Sequence, residues 1–490
     1  MDLREATGAP VVVDVTSIAW RRIAPPAAVV VVLLSVFSTR YGFERDELYF
    51  SMLRPAWGYV DQPPFVPVVS HALTALVSNS PWLLRVPATL FAAGLVLLTA
   101  LLARELGGDA KAQTWTAWGM ATTSAVTVFG HVFLTSTPDL VFWPAVCLCV
   151  LRAELREQPR WWLAAGAIAG VATYNKLLVG VLLGGIALGL ALVGPRRRLA
   201  SPYVWGGAAI ALVVALPNIL YQVVNGWPEL DMGRALSDNN AADVRVSMWS
   251  LLVLLLGPPM LVIWGAGLWA LARDRRLRFF VVAFVVIVVF TFVSGTQAYY
   301  PVFLLPLPFA AGIVAMERHL GRVWAALFAV NGLVTFVLGL PVVPVAALGS
   351  TPIPGINQSV QDSIGWPTYV GQVGRVYDEA RGGQDPGTVI VYTSNYGEAG
   401  AVHRYRPDIP VYSAQNALYD QAVPPADAAT VVVVGGQWQQ VHRLFDSCRL
   451  STRLDNGVGV DNEEQGEPVG VCHGPRHSWA TMWPRLRHLD

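Results

Sequence analysis

The sequence predicts a polytopic α-helical membrane protein with about eleven transmembrane helices, followed by a small soluble α/β domain. Three observations point there. Of 490 residues, 54% are hydrophobic and only 14% charged, with a mean hydropathy of +0.47; ordinary soluble proteins carry roughly 25% charged residues. Apolar runs close to the ~20 residues needed to cross a bilayer recur along most of the chain. After residue 345 the runs shorten. Strand-like stretches ("TVIVYTS", "TVVVVGG") then alternate with helix-like ones ("SVQDSIGWPTYVGQVGRVYDEA"). The net charge of +1 and the lack of a basic tract give no reason to expect a nucleic-acid partner.

Taken in order, residues 1–22 are mixed and end in Arg21-Arg22. The first apolar run follows without a small-residue cleavage site, so that run reads as an uncleaved anchor. The expected spans are 23–39, 84–103, 112–130, 139–152, 159–174, 177–194, 203–222, 248–272, 279–294, 300–316 and 323–345. The apolar stretch 63–78 opens on "DQPPFVP", whose three prolines suit an interfacial or re-entrant helix better than a span.

Charge parity then orients the chain in a plasma or inner membrane. With the N-terminus cytoplasmic, the inner segments hold seventeen basic residues, counted from Arg4 to Arg322, against seven on the outer connections. Eleven spans place the C-terminal α/β domain, 346–490, on the extracytoplasmic side of a membrane domain covering 1–345. Cys448 and Cys472 could pair in an oxidising compartment or remain free thiols; Cys147 and Cys149 fall within a span and read as core.

The unusual polar groups all fall on the outer side. Asp46 and Glu47 open the first outer loop ("YGFERDELYF"), and Asp139 stands at the outer end of the fourth span ("TSTPDLVFWP"). Lys176 occupies the turn between the fifth and sixth spans, and Tyr299 and Tyr300 the turn before the tenth. The inner loops show only ordinary arginines. Ionisable groups at the edge of hydrocarbon are costly and usually functional. Carboxylates facing one lysine at the interface suit an amphipathic substrate such as a lipid-linked phosphate. Lys176 and Arg85 would meet the phosphate, and Asp46 would take a proton from an acceptor hydroxyl. Each has a plainer reading: a solvated acidic pair, a helix-capping Asp139, a snorkelling Lys176, and tyrosines of an interfacial belt. His131 reads as a loop residue. No metal site is evident, although Asp46, Glu47 and Asp139 could hold a divalent cation, since hard cations favour carboxylate oxygens. The turn "NYGEAG" (395–400) could offer backbone amides to an anion or be purely structural.

The stretches "RDELYF…WGYVDQPPFVP", "LRVPATLFAAG", "TPDLVFWP", "NKLLVG", "PNILYQVVNGWP" and "NYGEAGAVHRY" together resemble bacterial members of glycosyltransferase family 39, the dolichyl-phosphate-mannose–protein mannosyltransferase-like and aminoarabinose-transferase-like group. The resemblance runs over nearly the whole chain. It implies a GT-C-type fold and a polyprenyl-phosphate sugar donor. The acceptor would be a hydroxyl of a lipid, glycan or protein on the extracytoplasmic face, and displacement would be direct with inversion. It also implies roles. Asp46-Glu47 correspond to the acidic pair implicated as catalytic base and acceptor site, Asp139 to the second-loop aspartate, and Lys176 to the residue holding the donor phosphate. Relatives often carry a lysine just before the paired tyrosines. Here Thr296-Gln297-Ala298 precede Tyr299-Tyr300, which moves that contact to Lys176 and Arg85. A lipid transporter or flippase is the rival reading. It would place polar residues at mid-membrane and on both faces, with inverted repeats, and the sequence shows neither.

Overall fold

The structure, a computed structural model, describes residues 16–384 and 386–490. Arg4 and the rest of the N-terminal stretch up to residue 15 lie outside the described residues. Among the described residues, four helices are each long and apolar enough to cross a membrane: Trp20–Phe37, Pro81–Glu105, Pro202–Val224 and Arg322–Gly339. A fifth crossing results if Pro228–Leu256 and Pro258–Arg273, bent by 88° at their junction, count as one span. The bend falls at Pro258, whose ring cannot continue the preceding helix. The other expected spans are shorter apolar helices, such as Trp161–Ala172, Val179–Leu192 and Phe279–Ser294, or are cut by turns. The stretch expected as 112–130 is two helices, Ala110–Ala121 and Ser124–His131. The stretch expected as 300–316 begins with a tight turn and becomes α-helical only at Pro306. The helix Phe65–Leu76 occupies the stretch read as interfacial or re-entrant.

The helices pack around one apolar core that includes Leu95, Val96, Trp143, Val146, Phe303 and Phe309. At one end of it, Glu105 is buried among three arginines. Arg152 reaches its carboxylate at 3.0 Å, Arg156 at 2.6 Å and Arg104 at 3.1 Å. The arginines of that end, expected to be ordinary solvated charges, therefore clamp helix Val86–Glu105 to helix Asp139–Leu155. Cys147 and Cys149 are buried free thiols.

The C-terminal third holds a five-stranded sheet of order β2-β1-β3-β5-β4, with β1 Val389–Thr393, β2 Val411–Ser413, β3 Thr430–Val434, β4 Phe445–Arg453 and β5 Pro468–Pro475. β1 is parallel to both β2 and β3; β5 is antiparallel to β3 and β4. The central strands "VIVYT" and "TVVVV" are buried on both faces, which is why they are continuously apolar. Strand side chains alternate between faces. Ile390, Tyr392, Val431 and Val433 pack on Trp479, Met482 and Trp483. Val389, Val391, Val432 and Val434 pack on the other side, under helices Trp366–Arg381 and Tyr396–Tyr405. Cys448 and Cys472 oppose each other across β4 and β5 and form a disulfide.

The second face does not end at the sheet's own helices. Leu48, Tyr49 and Phe50 of helix Arg45–Met52 belong to the same apolar cluster as Val391, Val432 and Trp366. The short acidic helix that follows the first apolar helix is thus clamped between the membrane helices and the C-terminal region. Glycine makes the close approach. A Cβ on Gly400 would meet the Leu48 backbone at 2.8 Å, and one on Gly397 would overlap the Arg45 stem at 2.4 Å.

Candidate functional site

The site begins with helix Arg45–Met52. Glu44 and Glu47 form a reciprocal capping box: Glu44 accepts from the amides of Asp46 (2.7 Å) and Glu47 (3.4 Å), and Glu47 accepts from the Glu44 amide at 3.0 Å. These contacts divide the acidic pair into two different residues. Glu47 points inward and is 0% exposed, against Arg85 at 1%. The Arg85 guanidinium donates to Glu47 from Nε (2.9 Å) and Nη2 (2.7 Å), to the Gly42 carbonyl (2.8 Å) and to the Ser38 carbonyl (2.6 Å). His131 Nε2 lies 3.2 Å from Arg85 Nη1; His131, read as a loop residue, is buried at the end of its helix. The remaining Glu47 capacity takes the Phe133 amide at 3.1 Å. Two expectations change accordingly. Arg85 has no donor left for a phosphate, and Glu47 has no lone pair left for a substrate; together they anchor the helix that carries Asp46.

Asp46 faces the other way. Its Oδ1 accepts the phenolic O–H of Tyr396 at 2.8 Å. Its Oδ2 has no hydrogen-bond partner among the described residues. It lies within electrostatic range of Tyr299 and Asp61.

The other predicted residues gather beside it. Lys176 Nζ donates to the Tyr299 hydroxyl at 3.2 Å and lies 5.3 Å and 5.5 Å from the ring centres of Tyr299 and Tyr300. Asp139 is fully buried at the start of its helix; Asn175 donates to its Oδ1 at 3.0 Å, while its Oδ2 has no hydrogen-bond partner among the described residues. The Lys176 charge acts on Asp139, and Asp139 in turn acts on Tyr299. The structure therefore brings Asp46, Asp139, Lys176, Tyr299 and Tyr300 together and turns Glu47 and Arg85 away from them.

Three further residues escaped the sequence reading. Asp61, inside the "YVDQPPF" stretch, accepts the Tyr49 hydroxyl at 2.9 Å on Oδ2 and leaves a buried Oδ1 unpartnered. Burial pushes its carboxyl up to about 7, against the opposing Tyr49 hydrogen bond. Glu229 is held by Gln222 at 2.7 Å and lies within reach of the Asp61 and Lys176 charges. Tyr396 comes from "NYGEAG". The backbone amides of that turn, weighed as an anion site, are occupied by the protein itself: Ser394 and Asn395 donate to the Glu398 carboxylate at 2.9 and 3.2 Å. The turn is a capping box opening the Tyr396 helix. Among the described residues no three His, Cys, Asp or Glu side chains assemble as metal ligands.

One amine, several carboxylates and several phenols thus lie near one another beside a set of apolar helices. Residues 61–221 match the family model described as dolichyl-phosphate-mannose-protein mannosyltransferase. The chain is similar in structure to ArnT from Cupriavidus metallidurans in the apo state, with a TM-score of 0.56 and 17% identity, covering 93% of this chain and 98% of that one. Against the same protein bound to undecaprenyl phosphate the TM-score is 0.57 at 17% identity, covering 92% and 98%. Arabinofuranosyltransferase AftD from mycobacteria matches with a TM-score of 0.50 and 13% identity, over 94% of this chain and 40% of that one. No curated protein matches the chain by sequence. At these identities the structural likenesses show the fold. The family match covers residues 61–221, about a third of the chain, and together with the shared fold it bears out the resemblance read from the sequence.

Proposed function

We propose that this protein moves a sugar from a polyprenyl-phosphate donor to a hydroxyl acceptor on the extracytoplasmic face of the membrane, with residues 1–345 carrying the reaction and 346–490 forming an α/β domain on that same face. The observation that carries the reading is the Lys176–Tyr299 pair, held within electrostatic reach of Asp139 while Asp46 acts on the same tyrosine. The polyprenyl tail would lie along the apolar helices and its phosphate would meet Lys176. ArnT, whose fold this chain shares, has a structure with undecaprenyl phosphate bound.

The acceptor oxygen attacks the anomeric carbon as its proton passes to Oδ2 of Asp46. The bond from that carbon to the phosphate oxygen breaks, and its electron pair leaves on the phosphate. In a site of low polarity, one ammonium stabilises that departing charge far more than it would in water. Tyr299 and Tyr300 shape the face on which Lys176 rests. The relay Asp139–Asn175 sets the turn that carries Lys176.

The test uses membranes containing the protein, radiolabelled undecaprenyl-phosphate mannose, galactose and arabinose as donors, and endogenous acceptors. Asp46→Asn is expected to lower turnover by about 10²–10⁴-fold, the usual worth of a general base, with little change in the amount of inserted protein. Lys176→Ala is expected to weaken retention of undecaprenyl phosphate itself. Normal turnover by Asp46→Asn would remove the base assignment. No sugar transfer by the wild type, together with lipid translocation, would favour the flippase reading.

A further inference from the structure

We propose that Tyr396, from the C-terminal region, is a positioning residue for the Asp46 carboxylate: its O–H holds Oδ1 and leaves Oδ2 turned toward the acceptor hydroxyl. The inference rests on Asp46 being the base.

Tyr396 is fixed on every side. Its amide donates to Gln415 Oε1 at 2.7 Å, inside the turn that Asn395 and Glu398 cap reciprocally. Its ring lies 4.6 Å from the Tyr49 ring, tilted by 34°. The Arg45 guanidinium sits 5.1 Å from its ring centre and is ion-paired with Glu463. Gly397 and Gly400 let its helix settle onto the Asp46 helix. Burial pushes the Tyr396 hydroxyl well above its ordinary range, so it stays a donor and the carboxylate an acceptor. Tyr49 repeats the arrangement one turn away, donating to Asp61. Two stacked phenols thus each hold one carboxylate. A residue serving only to staple the two regions together would need the ring; the hydroxyl on Asp46 is what the positioning role adds. A hydrogen bond from a rigid donor fixes a carboxylate's rotamer and favours its charged form. The other charged or titratable groups that Asp46 meets are Glu44, Arg45, Asp61, Asp362 and Tyr299.

The decisive variant is Tyr396→Phe, which keeps the ring, the stack and the fold. With whichever of the mannosyl, galactosyl and arabinosyl undecaprenyl phosphates the wild type transfers, kcat is expected to fall roughly 10- to 100-fold, the scale of a slightly misplaced reacting group. The donor KM should stay within about twofold. A second arm needs no donor: the thermal stabilities of wild type, Tyr396→Phe, Asp46→Asn and the double variant form a cycle, and the two substitutions should be non-additive. Wild-type kcat in Tyr396→Phe would overturn the proposal, and so would strict additivity in the cycle. If Asp46→Asn retains full turnover while the cycle shows coupling, the base assignment fails and the contact stands as structural.

Discussion

Replacing Arg85 by methionine separates a buried anchor from a substrate contact. The substitution removes a guanidinium that serves a carboxylate and two carbonyls at 2.6–2.9 Å. It leaves the Glu47 carboxylate buried with only backbone donors for company. Breaking a buried ion pair from one side costs about 3–5 kcal/mol, because the partner's charge stays behind in a medium that does not solvate it. The orphaned Ser38 and Gly42 carbonyls add to this, although contributions within one network are not additive. Typical total stabilities are about 5–15 kcal/mol, so Arg85→Met should forfeit a large share of the folded population. The assay is the fraction of detergent-solubilised protein that stays monodisperse after a graded heat challenge. Glu47→Gln should also destabilise, since it strands the arginine. The double variant Arg85→Met/Glu47→Gln should recover part of the loss, because neither charge is then left alone. Wild-type heat resistance in Arg85→Met, combined with a raised donor KM, would refute this account and return Arg85 to the phosphate.

Two other outcomes follow from the way the C-terminal region grips the Asp46 helix. Gly400→Ala pushes a methyl group into the Leu48 backbone at 2.8 Å; it should cost about 1–3 kcal/mol and lower turnover as Tyr396 is drawn off Asp46, whereas Gly371→Ala, which meets open space on an exposed helix face, should be neutral or slightly stabilising in the same heat assay. Burial pushes Glu464 from 4.5 up to about 7 and Asp362 from 3.8 up to about 6, so the folded protein holds these protons more tightly than the unfolded chain; their contribution is complete below about pH 4 and is lost as pH rises to about 7, and Glu464→Gln should flatten the melting-temperature profile in that window by an amount of order 1–3 kcal/mol.

Asp46, Asp139 and Lys176 were readable because charge is scarce in this chain and each stands beside the end of an apolar run. Parity then assigned all three to one side, and the structure brings them together with Tyr299 and Tyr300. Parity says which side a group occupies and nothing about which groups saturate one another. Glu47 and Asp46 are neighbours in sequence, yet a capping box turns one inward onto Arg85 and leaves the other to Tyr396. Glu105 shows the same limit at another place: three arginines that look like ordinary topology signals share one buried carboxylate. Asp61 stood in a stretch already singled out, but its prolines drew the reading toward helix geometry. Tyr396 is far from Asp46 in sequence, and no local pattern records that register. The sheet's central strands were plain from their apolar runs, whereas the antiparallel pairing that joins Cys448 to Cys472 depends on contacts between segments that sequence spacing does not order.

The Asp46–Tyr396 contact spans 350 residues, and most of the long apolar helices lie between its two ends in the chain. A ribosome must therefore complete almost the entire polypeptide before that aspartate acquires its phenol. During synthesis the half-made protein holds lysine and carboxylates without this last partner, so assembly order itself delays the moment at which the site is finished.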